Sequence, residues 1–413
     1  MPEKKVNKLI EKLELKEFKL NSLLEITKGI NNNFPTDKLL KIYEYILREQ
    51  LGITRLILYN YNQKQWSCLL RYGAKGQSKK INVEKDLSHI KEITVIESSS
   101  VHYLNSFDIV IPILHKNMPL SYLLIGDLNE EAIRISPTIK HMPFIQTLTN
   151  IIIVAIENKR FANESIDQER TNKELEVASE MQRLLFPAIL PSNNRVDVAA
   201  RYETHQLVGG DYYDFIKVNN EEYILCIADV SGKGVSAALL MSNFQANLKA
   251  NIKYNHQKLT LINLIHELNE NVNNAAQGEK FITFFIAHYN CTKRKLNYIN
   301  AGHNYPILTN GERATNLNKG CIGLGMFDKI PEIEMEEIDI HPNDTLICYT
   351  DGLVELENEN GEQFETDRLT KIIHENFHLP MKALDQIIFL ELERFKGSKD
   401  ILDDTALLSC RFF

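Results

Sequence analysis

The sequence predicts an α+β protein of two domains. An N-terminal α/β/α layout leads through a helical, coiled-coil-like linker into a C-terminal β-sandwich flanked by helices. Three observations predict it. A chain of 413 residues exceeds one ordinary hydrophobic core. Helical and short strand patterns alternate from about residue 20 to 160. From about residue 195 strand patterns dominate, after a polar helical stretch that Pro187 and Pro191 bring to an end. The expected divisions are an N-terminal helix over 1–20, a sensor-like domain over 21–160, a linker over 161–194 and a second domain over 195–413.

In chain order, residues 1–30 have a helical pattern, with Leu9, Ile10, Leu13 and Leu20 set among Lys and Glu. Lys38–Leu51 reads as a helix. Thr54–Tyr61 and Trp66–Arg71 read as paired strands turned by Asn62–Lys64, and Phe107–Leu114 and Ser121–Asp127 as a second hairpin turned by His115–Met118. Ile139–Arg160 then runs as a long helix. Over Glu157–Leu185 the residues Leu175, Ala178, Gln182 and Leu185 recur at three-four spacing beside a stripe of Val177, Met181 and Leu184. Leu175, Ala178, Met181 and Leu185 are therefore the candidate regulatory positions of the linker, and pairing across a homodimer is expected. Strands are expected at Val196–Tyr202, Phe215–Val218, Tyr223–Val230, Phe281–Tyr289, Lys295–Ala301, Ile307–Thr309, Thr345–Tyr349 and Thr405–Phe412. Helices are expected at Val235–Tyr254, Leu259–Ala276, Asp367–Asn376 and Leu384–Phe395.

Composition narrows the function classes. A net charge of −8 argues against a general nucleic-acid binder. Six cysteines occur singly with no CxxC pair, which argues against a zinc knuckle and fits reduced thiols in the cytoplasm. The N-terminus lacks the apolar centre of a signal peptide, and the longest apolar run, Ile151–Ile156, is too short for a bilayer.

The chemistry sits in four acidic motifs: GGDYYDF from Gly209, ADVSGKG from Ala228, YTDGLVE from Tyr349 and LDDTALL from Leu402. Asp229 ends the apolar run Ile224–Ala228, and Gly232 and Gly234 permit a tight turn into the next helix. Asp351 ends a second apolar run in the same way, Asp403 and Asp404 precede a third, and Asp211 follows a Gly pair with Asp214 close behind. One such Asp is ordinarily a helix cap or a loop brace. Four converging strand ends would crowd like charges and raise their pKa values, a conflict that a divalent cation resolves. Oxygen-only ligands favour Mg²⁺ or Mn²⁺.

The order GGDYYDF, ADVSGKGVSAALLMS, FITFFIAHYN, NAGHNYP, GLGMF, YTDGLVE and DDTALL, preceded by EVASEMQRLLFP, resembles the PPM-type metal-dependent protein phosphatases, in their SpoIIE/RsbU-like serine/threonine branch. The resemblance covers roughly 175–413. It implies a PPM β-sandwich, two Mn²⁺ or Mg²⁺ ions and in-line attack of an activated water on phosphorus. It also implies roles for particular residues. Asp229 would bridge both ions, and the Val230 carbonyl would ligate the second. Asp351 and Asp403 would hold the first, and Asp211 would act mainly through water. Asp229, Asp351 and Asp403 are the catalytic candidates. Asp404 stands beside Asp403, and the residues leave open which points inward; alignment with the family's closing motif favours Asp403. The chain departs from the pattern at Tyr305, which replaces the first Pro of NAGHNPP, and in the residues after Asp404. The implied partner is a phosphorylated STAS-type protein.

Other candidates have plainer readings. His303 is a possible general acid but reads better as a loop brace. Ser231 and Ser236 lack a nucleophile-elbow context. Lys233 suits either substrate phosphate or solvent, and Arg201 reads as structural. Residues 20–160 resemble a GAF domain on LNSLLEITKGINN, RLILYNYNQKQWSCLL and IPILHKNMPLSYLLIGDLN, which implies a small-molecule or protein input. Trp66 and Tyr59 are pocket candidates there, with core packing favoured. Two rival functions remain. One is a non-catalytic scaffold that only binds a partner. The other is a nucleotide cyclase suggested by GGD, which leaves the three later Asp motifs unexplained.

Overall fold

A computed structural model of the chain describes residues 2–62, 65–74, 76, 80–96, 104–116, 118–126, 137–255 and 260–413. The chain divides into two compact units, Met1–Gln168 and Glu169–Phe413. No helix of the described residues is long and apolar enough to cross a membrane.

The first unit contains helices α1 (Pro2–Asn31) and α2 (Thr36–Tyr45), strands β1 (Arg55–Tyr61) and β2 (Trp66–Tyr72), the short α3 (Val83–Asp86), strands β3 (Thr94–Val95), β4 (Ile109–His115) and β5 (Met118–Gly126), and the start of α4 (Pro137–Arg183). The strands form one antiparallel sheet in the order β2-β1-β5-β4-β3. Alternate residues of β1 enter separate cores. Leu56 and Leu58 pack with Ile26, Tyr43 and Ile152 of the helices, while Ile57 and Tyr59 pack with Val83, Leu87 and Phe107 on the other face. A sheet covered on both faces explains why its central strands read as continuous apolar runs. Tyr59 is thus a core residue, and Trp66 stacks between Tyr61 and Tyr122 at ring separations of 5.2 and 5.4 Å.

The helix expected over Lys38–Leu51 changes character at Ile46. A π-helical turn covers Ile46–Gln50, with Leu51 N–H donating to the Ile46 carbonyl, and this wider turn lets Ile46, Leu47 and Leu51 all reach the core. The second hairpin begins at Ile109 and ends at Gly126. Gln63, Lys64, Asn117 and Asp127, which belong to the expected turns and strand end, lie outside the described residues, as does Leu259 at the expected start of a later helix.

The second unit begins in α4 and continues through β6 (Val196–Glu203), β7 (Tyr212–Lys217), β8 (Glu222–Val230), α5 (Val235–Asn255), α6 (Leu261–Ala276), β9 (Ile282–Asn290), β10 (Lys295–Ala301), β11 (Ile307–Thr309), β12 (Ala314–Asn316), β13 (Gly320–Cys321), β14 (Glu336–Asp339), β15 (Thr345–Tyr349), α7 (Asp351–Val354), α8 (Thr366–Glu375), α9 (Met381–Lys396) and β16 (Thr405–Phe412). One sheet runs β13-β10-β9-β8-β7 with β14 added beside β10, and the other runs β12-β11-β15-β16-β6. Side-chain alternation builds four layers. Leu225 and Ile227 of β8 meet Leu346 and Cys348 of β15 and Leu408 and Cys410 of β16 between the sheets. Ile224, Cys226 and Ala228 face α5 and α6, whereas Ile347, Tyr349 and Leu407 face α8 and α9.

β7 starts at Tyr212, three residues before the expected start, so Asp214 lies within a strand; it pairs with Lys249 of α5 at 3.0 Å. The elements that sequence reading passed over are short. β3 and β12–β14 span two to four residues and carry no apolar period to detect.

The expected linker seam is divided. Leu175 is half-buried and Ala178 exposed, whereas Gln182 is only 7% exposed. α4 ends at Arg183, so Leu185 lies past the helix, packed against the core beneath α5 and α6. The face expected to meet a second helix is in part occupied by the chain's own second unit. Val177, Met181 and Leu184 remain exposed.

Candidate active site

Asp229 lies one residue before the end of β8. Leu225 and Ile227 of that strand fill the space between the sheets, and the two-residue period carries Asp229 onto the same face. It therefore stands at the rim of the sandwich, where the apolar filling stops. Tyr212 of β7 is registered opposite Ala228, which brings Asp211, the residue before it, alongside Asp229. The second sheet supplies the rest. β15 and β16 are hydrogen-bonded neighbours, with Thr350 N–H donating to the Ala406 carbonyl. Asp351 at the end of β15 and the Asp403–Asp404 pair ahead of β16 thus emerge side by side.

The two adjacent aspartates face different surroundings. Asp404 is 7% exposed and is consumed by backbone: Oδ1 accepts from His205 N–H at 2.8 Å and Oδ2 from Gly210 N–H at 2.7 Å. Asp403 is only half-buried: its Oδ1 accepts from Asp404 N–H at 2.9 Å and its Oδ2 meets Lys233 Nζ at 2.8 Å. The ammonium of Lys233 also donates to the Leu402 carbonyl at 2.5 Å. Asp211 is 1% exposed, and its Oδ2 accepts from Thr350 Oγ1 at 2.8 Å. The same hydroxyl oxygen accepts from Ala406 N–H at 2.8 Å, so Thr350 ties one sheet's end strands to the other sheet's carboxylate.

Charge crowding is the main electrostatic fact. Burial pushes the Asp211 carboxyl well above the carboxylate range, and the negative charges of Asp229 and Asp404 push it further. Asp229 is raised to about 7, by burial first and by Asp351 next, while a hydrogen bond from Asp211 favours its charged form. Both carboxyls are thus disfavoured as anions by burial and by each other's neighbours. Asp351 is raised by burial and by Asp403, and Asp404 by burial against the opposing backbone hydrogen bonds.

This environment suits a hard dication. The donors are all oxygens, and among the described residues Lys233 is the cation that meets the cluster directly. The Val230 carbonyl points toward Gly210, where an added Cβ would come within 3.1 Å of it. At Gly352 an added Cβ would clash with the Asp404 carbonyl. Glycine at these positions keeps backbone close to the acidic cluster. Among the described residues no three His, Cys, Asp or Glu side chains are already arranged to hold a metal ion.

The remaining candidates are braces. His303 is 3% exposed, its Nδ1 lies 2.8 Å from Thr283 Oγ1, and burial pushes its pKa down to about 3. A buried neutral imidazole beneath the site does not suit a general acid. Ser231 closes the turn after β8: its N–H donates to the Phe281 carbonyl and its Oγ accepts from Phe281 N–H, both at 2.9 Å. Ser236 is exposed. Arg201 stacks over Phe389, 4.3 Å from the ring centroid, and pairs with Glu203. Thr350 and Gln182 were missed as site residues. A lone Thr at a strand end carries no sequence signal, while Gln182 left one trace, as a polar residue in an otherwise apolar seam.

Residues 219–413 match the family model described as Stage II sporulation protein E (SpoIIE). The chain is 28% identical to the phosphoserine phosphatase RsbU of Bacillus subtilis over 59% of its own length and 71% of that protein's. It is 25% identical to the phosphoserine phosphatase RsbP of the same organism, over 45% of this chain but only 46% of that one. The SiaA-PP2C domain of Pseudomonas aeruginosa superimposes with a TM-score of 0.51 at 20% identity, over 60% of this chain and 99% of that domain, which is a likeness of fold. Residues 219–413 thus form a SpoIIE-type phosphatase domain similar to RsbU and RsbP, within a unit of PP2C-like fold.

Proposed function

We propose that the protein hydrolyses phosphoserine or phosphothreonine on a signalling protein, with Mg²⁺ or Mn²⁺ as cofactor, and that a STAS-type partner in a partner-switching circuit is its substrate. The observation that carries this reading is the meeting of Asp211 and Asp229 from one sheet with Asp351 and Asp403 from the other at a single rim. Asp229, the Val230 carbonyl, Asp351 and Asp403 would hold the ions, with Asp229 shared between them and Asp211 contributing through water. Bound there, the ions would supply Lewis-acid chemistry, lowering the pKa of a water nucleophile and shielding the phosphate oxygens. The chain's own residues prepare that site. Thr350 fixes the direction of Asp211 Oδ2. Burial and mutual proximity raise the charge cost of Asp211 and Asp229 together, a cost that a bound dication would offset. Lys233 neutralises Asp403. Both oxygens of Asp404 accept backbone N–H groups, whereas Asp403 has only its Oδ1 on backbone, which favours Asp403 as the direct ligand.

The first unit is read as a GAF-like sensor acting through α4. Its support is the antiparallel sheet covered by helices on one face and the continuous helix that follows. Phosphate release from phosphorylated STAS proteins, with and without Mn²⁺, tests the catalytic reading. Release only with metal is expected, and binding without release would favour the scaffold reading. Equal turnover by the full chain and by residues 195–413 would remove the regulatory part.

Homodimerisation is part of the same reading. α1 exposes Val6, Leu9, Ile10, Leu13, Leu20 and Leu24, each 48–72% accessible, at a spacing that suits a helix seam. Sedimentation velocity at micromolar concentration should report a dimer; a monomer throughout would contradict it.

A further inference from the structure

The geometry points to Gln182 as a positioning residue for Asp211, an inference that rests on the phosphatase reading above. Gln182 occupies the last turn of α4 and is 7% exposed. Both ends of its amide are engaged by one backbone residue: Nε2 donates to the Gly209 carbonyl at 2.7 Å, and Oε1 accepts from Gly209 N–H at 3.2 Å. The next peptide is held from another direction, because Gly210 N–H donates to Asp404 Oδ2 at 2.7 Å. Two consecutive residues, immediately ahead of Asp211, are therefore pinned by side chains from α4 and from the segment before β16.

The fit allows no slack. A Cβ at Gly209 would overlap both the Tyr202 hydroxyl and the Asp404 carboxylate. The loop can sit this deep only because it is glycine, and its polar groups then require buried partners. Gln182 supplies both for Gly209. The chain just past α4 is docked by separate contacts. Gln245 Nε2 donates to the Leu185 carbonyl at 3.1 Å, and Phe186 packs on Tyr202, Tyr212 and Tyr213 with ring centroids 5.0–5.9 Å apart. Those contacts hold the helix end in place, whereas the Gln182 amide reaches the loop that carries Asp211. Asp404 and Gln182 thus share one task, setting the backbone from which Asp211 projects. The amide does so without touching an ion or a substrate.

Gln182→Ala, Gln182→Glu and Gln245→Ala in the full chain test this. Three readouts are taken: the Mn²⁺ binding midpoint fitted from the dependence of melting temperature on Mn²⁺ concentration, the Mn²⁺ concentration that half-activates phosphate release, and kcat at saturating Mn²⁺. Losing the hydrogen bonds to a buried loop should raise both Mn²⁺ midpoints about tenfold in Gln182→Ala. The value of kcat at saturation should fall no more than about threefold, since a filled site restores the loop. Gln182→Glu keeps the acceptor but sets a carboxylate oxygen against the Gly209 carbonyl, and should shift both midpoints at least as far as Ala. Gln245→Ala should lower the metal-free melting temperature while leaving both Mn²⁺ midpoints in place. Unchanged midpoints in Gln182→Ala, or an equal shift in Gln245→Ala, would overturn the inference. Failure of the underlying reading looks different, because wild type itself would then show no Mn²⁺-dependent stabilisation.

Discussion

Asp229→Asn should lower metal-dependent phosphate release by about a thousandfold or more, since removing a bridging carboxylate forfeits several kcal/mol of stabilisation by the ions. The same change should make the metal-free protein more stable at pH 8. Asp229 titrates near 7 because burial and the charges of Asp351, Asp403 and Asp404 disfavour its ionised form. At pH 8 the wild-type carboxylate therefore stands in an unfavourable field, and a neutral amide does not. The introduced amide would also offer Asp211 an N–H donor. A gain of about 1–2 kcal/mol is expected, or roughly 2–8 °C in melting temperature for a domain of this size. Phosphate-release assays with Mn²⁺ check the first half, and thermal melts without it check the second. Wild-type turnover in the variant would contradict the ligand role, and a lower metal-free melting temperature would contradict charge crowding as the dominant local term.

Much of this site was legible before the fold was known, for a specific reason. A carboxylate at the end of a buried strand leaves a double trace, an apolar run and an Asp that breaks it, and Asp229 and Asp351 carry both. The register that sets Asp211 beside Asp229 was not legible, because the start of β7 is fixed by pairing with β8 rather than by local pattern; Tyr212 and Asp214 look alike to any period count. Asp403 and Asp404 could not be told apart because the difference lies in what approaches them. The backbone of Gly210 and His205 takes Asp404, and those residues are some two hundred positions away in sequence. The linker misled for the opposite reason. Its three-four spacing is genuine, but Gln182 and Leu185 turn that face toward their own unit. Helix periodicity states that a face is covered and does not name the cover. The helices and long strands survive with small boundary shifts, since each has a buried face strong enough to override its neighbours.

A second buried carboxyl, outside the site, should give the metal-free protein a pH-dependent stability of its own. Asp385 of α9 is 3% exposed. Its Oδ1 accepts from Ser409 Oγ at 2.7 Å, and its Oδ2 has no hydrogen-bond partner among the described residues. Burial pushes the group up to about 7; the Ser409 hydrogen bond pulls down, Asp197 adds to the rise, and Arg201 opposes it. An unfolded Asp titrates near its ordinary value of 3.8. Below that pH both states hold the proton, and the contribution to stability is fully present. Between there and about 7 the unfolded chain gives up its proton while the folded chain keeps it, so stability is lost as pH rises; beyond the folded value the loss is complete. Three pH units correspond to on the order of 4 kcal/mol. Asp385→Asn keeps an acceptor for Ser409 and cannot ionise. Relative to wild type it should therefore gain stability steadily from about pH 4 to about pH 7 and hold that gain above. Because Asp211, Asp229, Asp351 and Asp404 are raised in the same direction, both proteins should lose some stability over this range without metal, with the wild-type curve the steeper. Urea unfolding in chelator at half-unit pH steps measures the difference. Parallel curves would mean that Asp385 is solvated or paired in the folded protein, and that its isolation on the α9 face of the sheet is not what sets its charge.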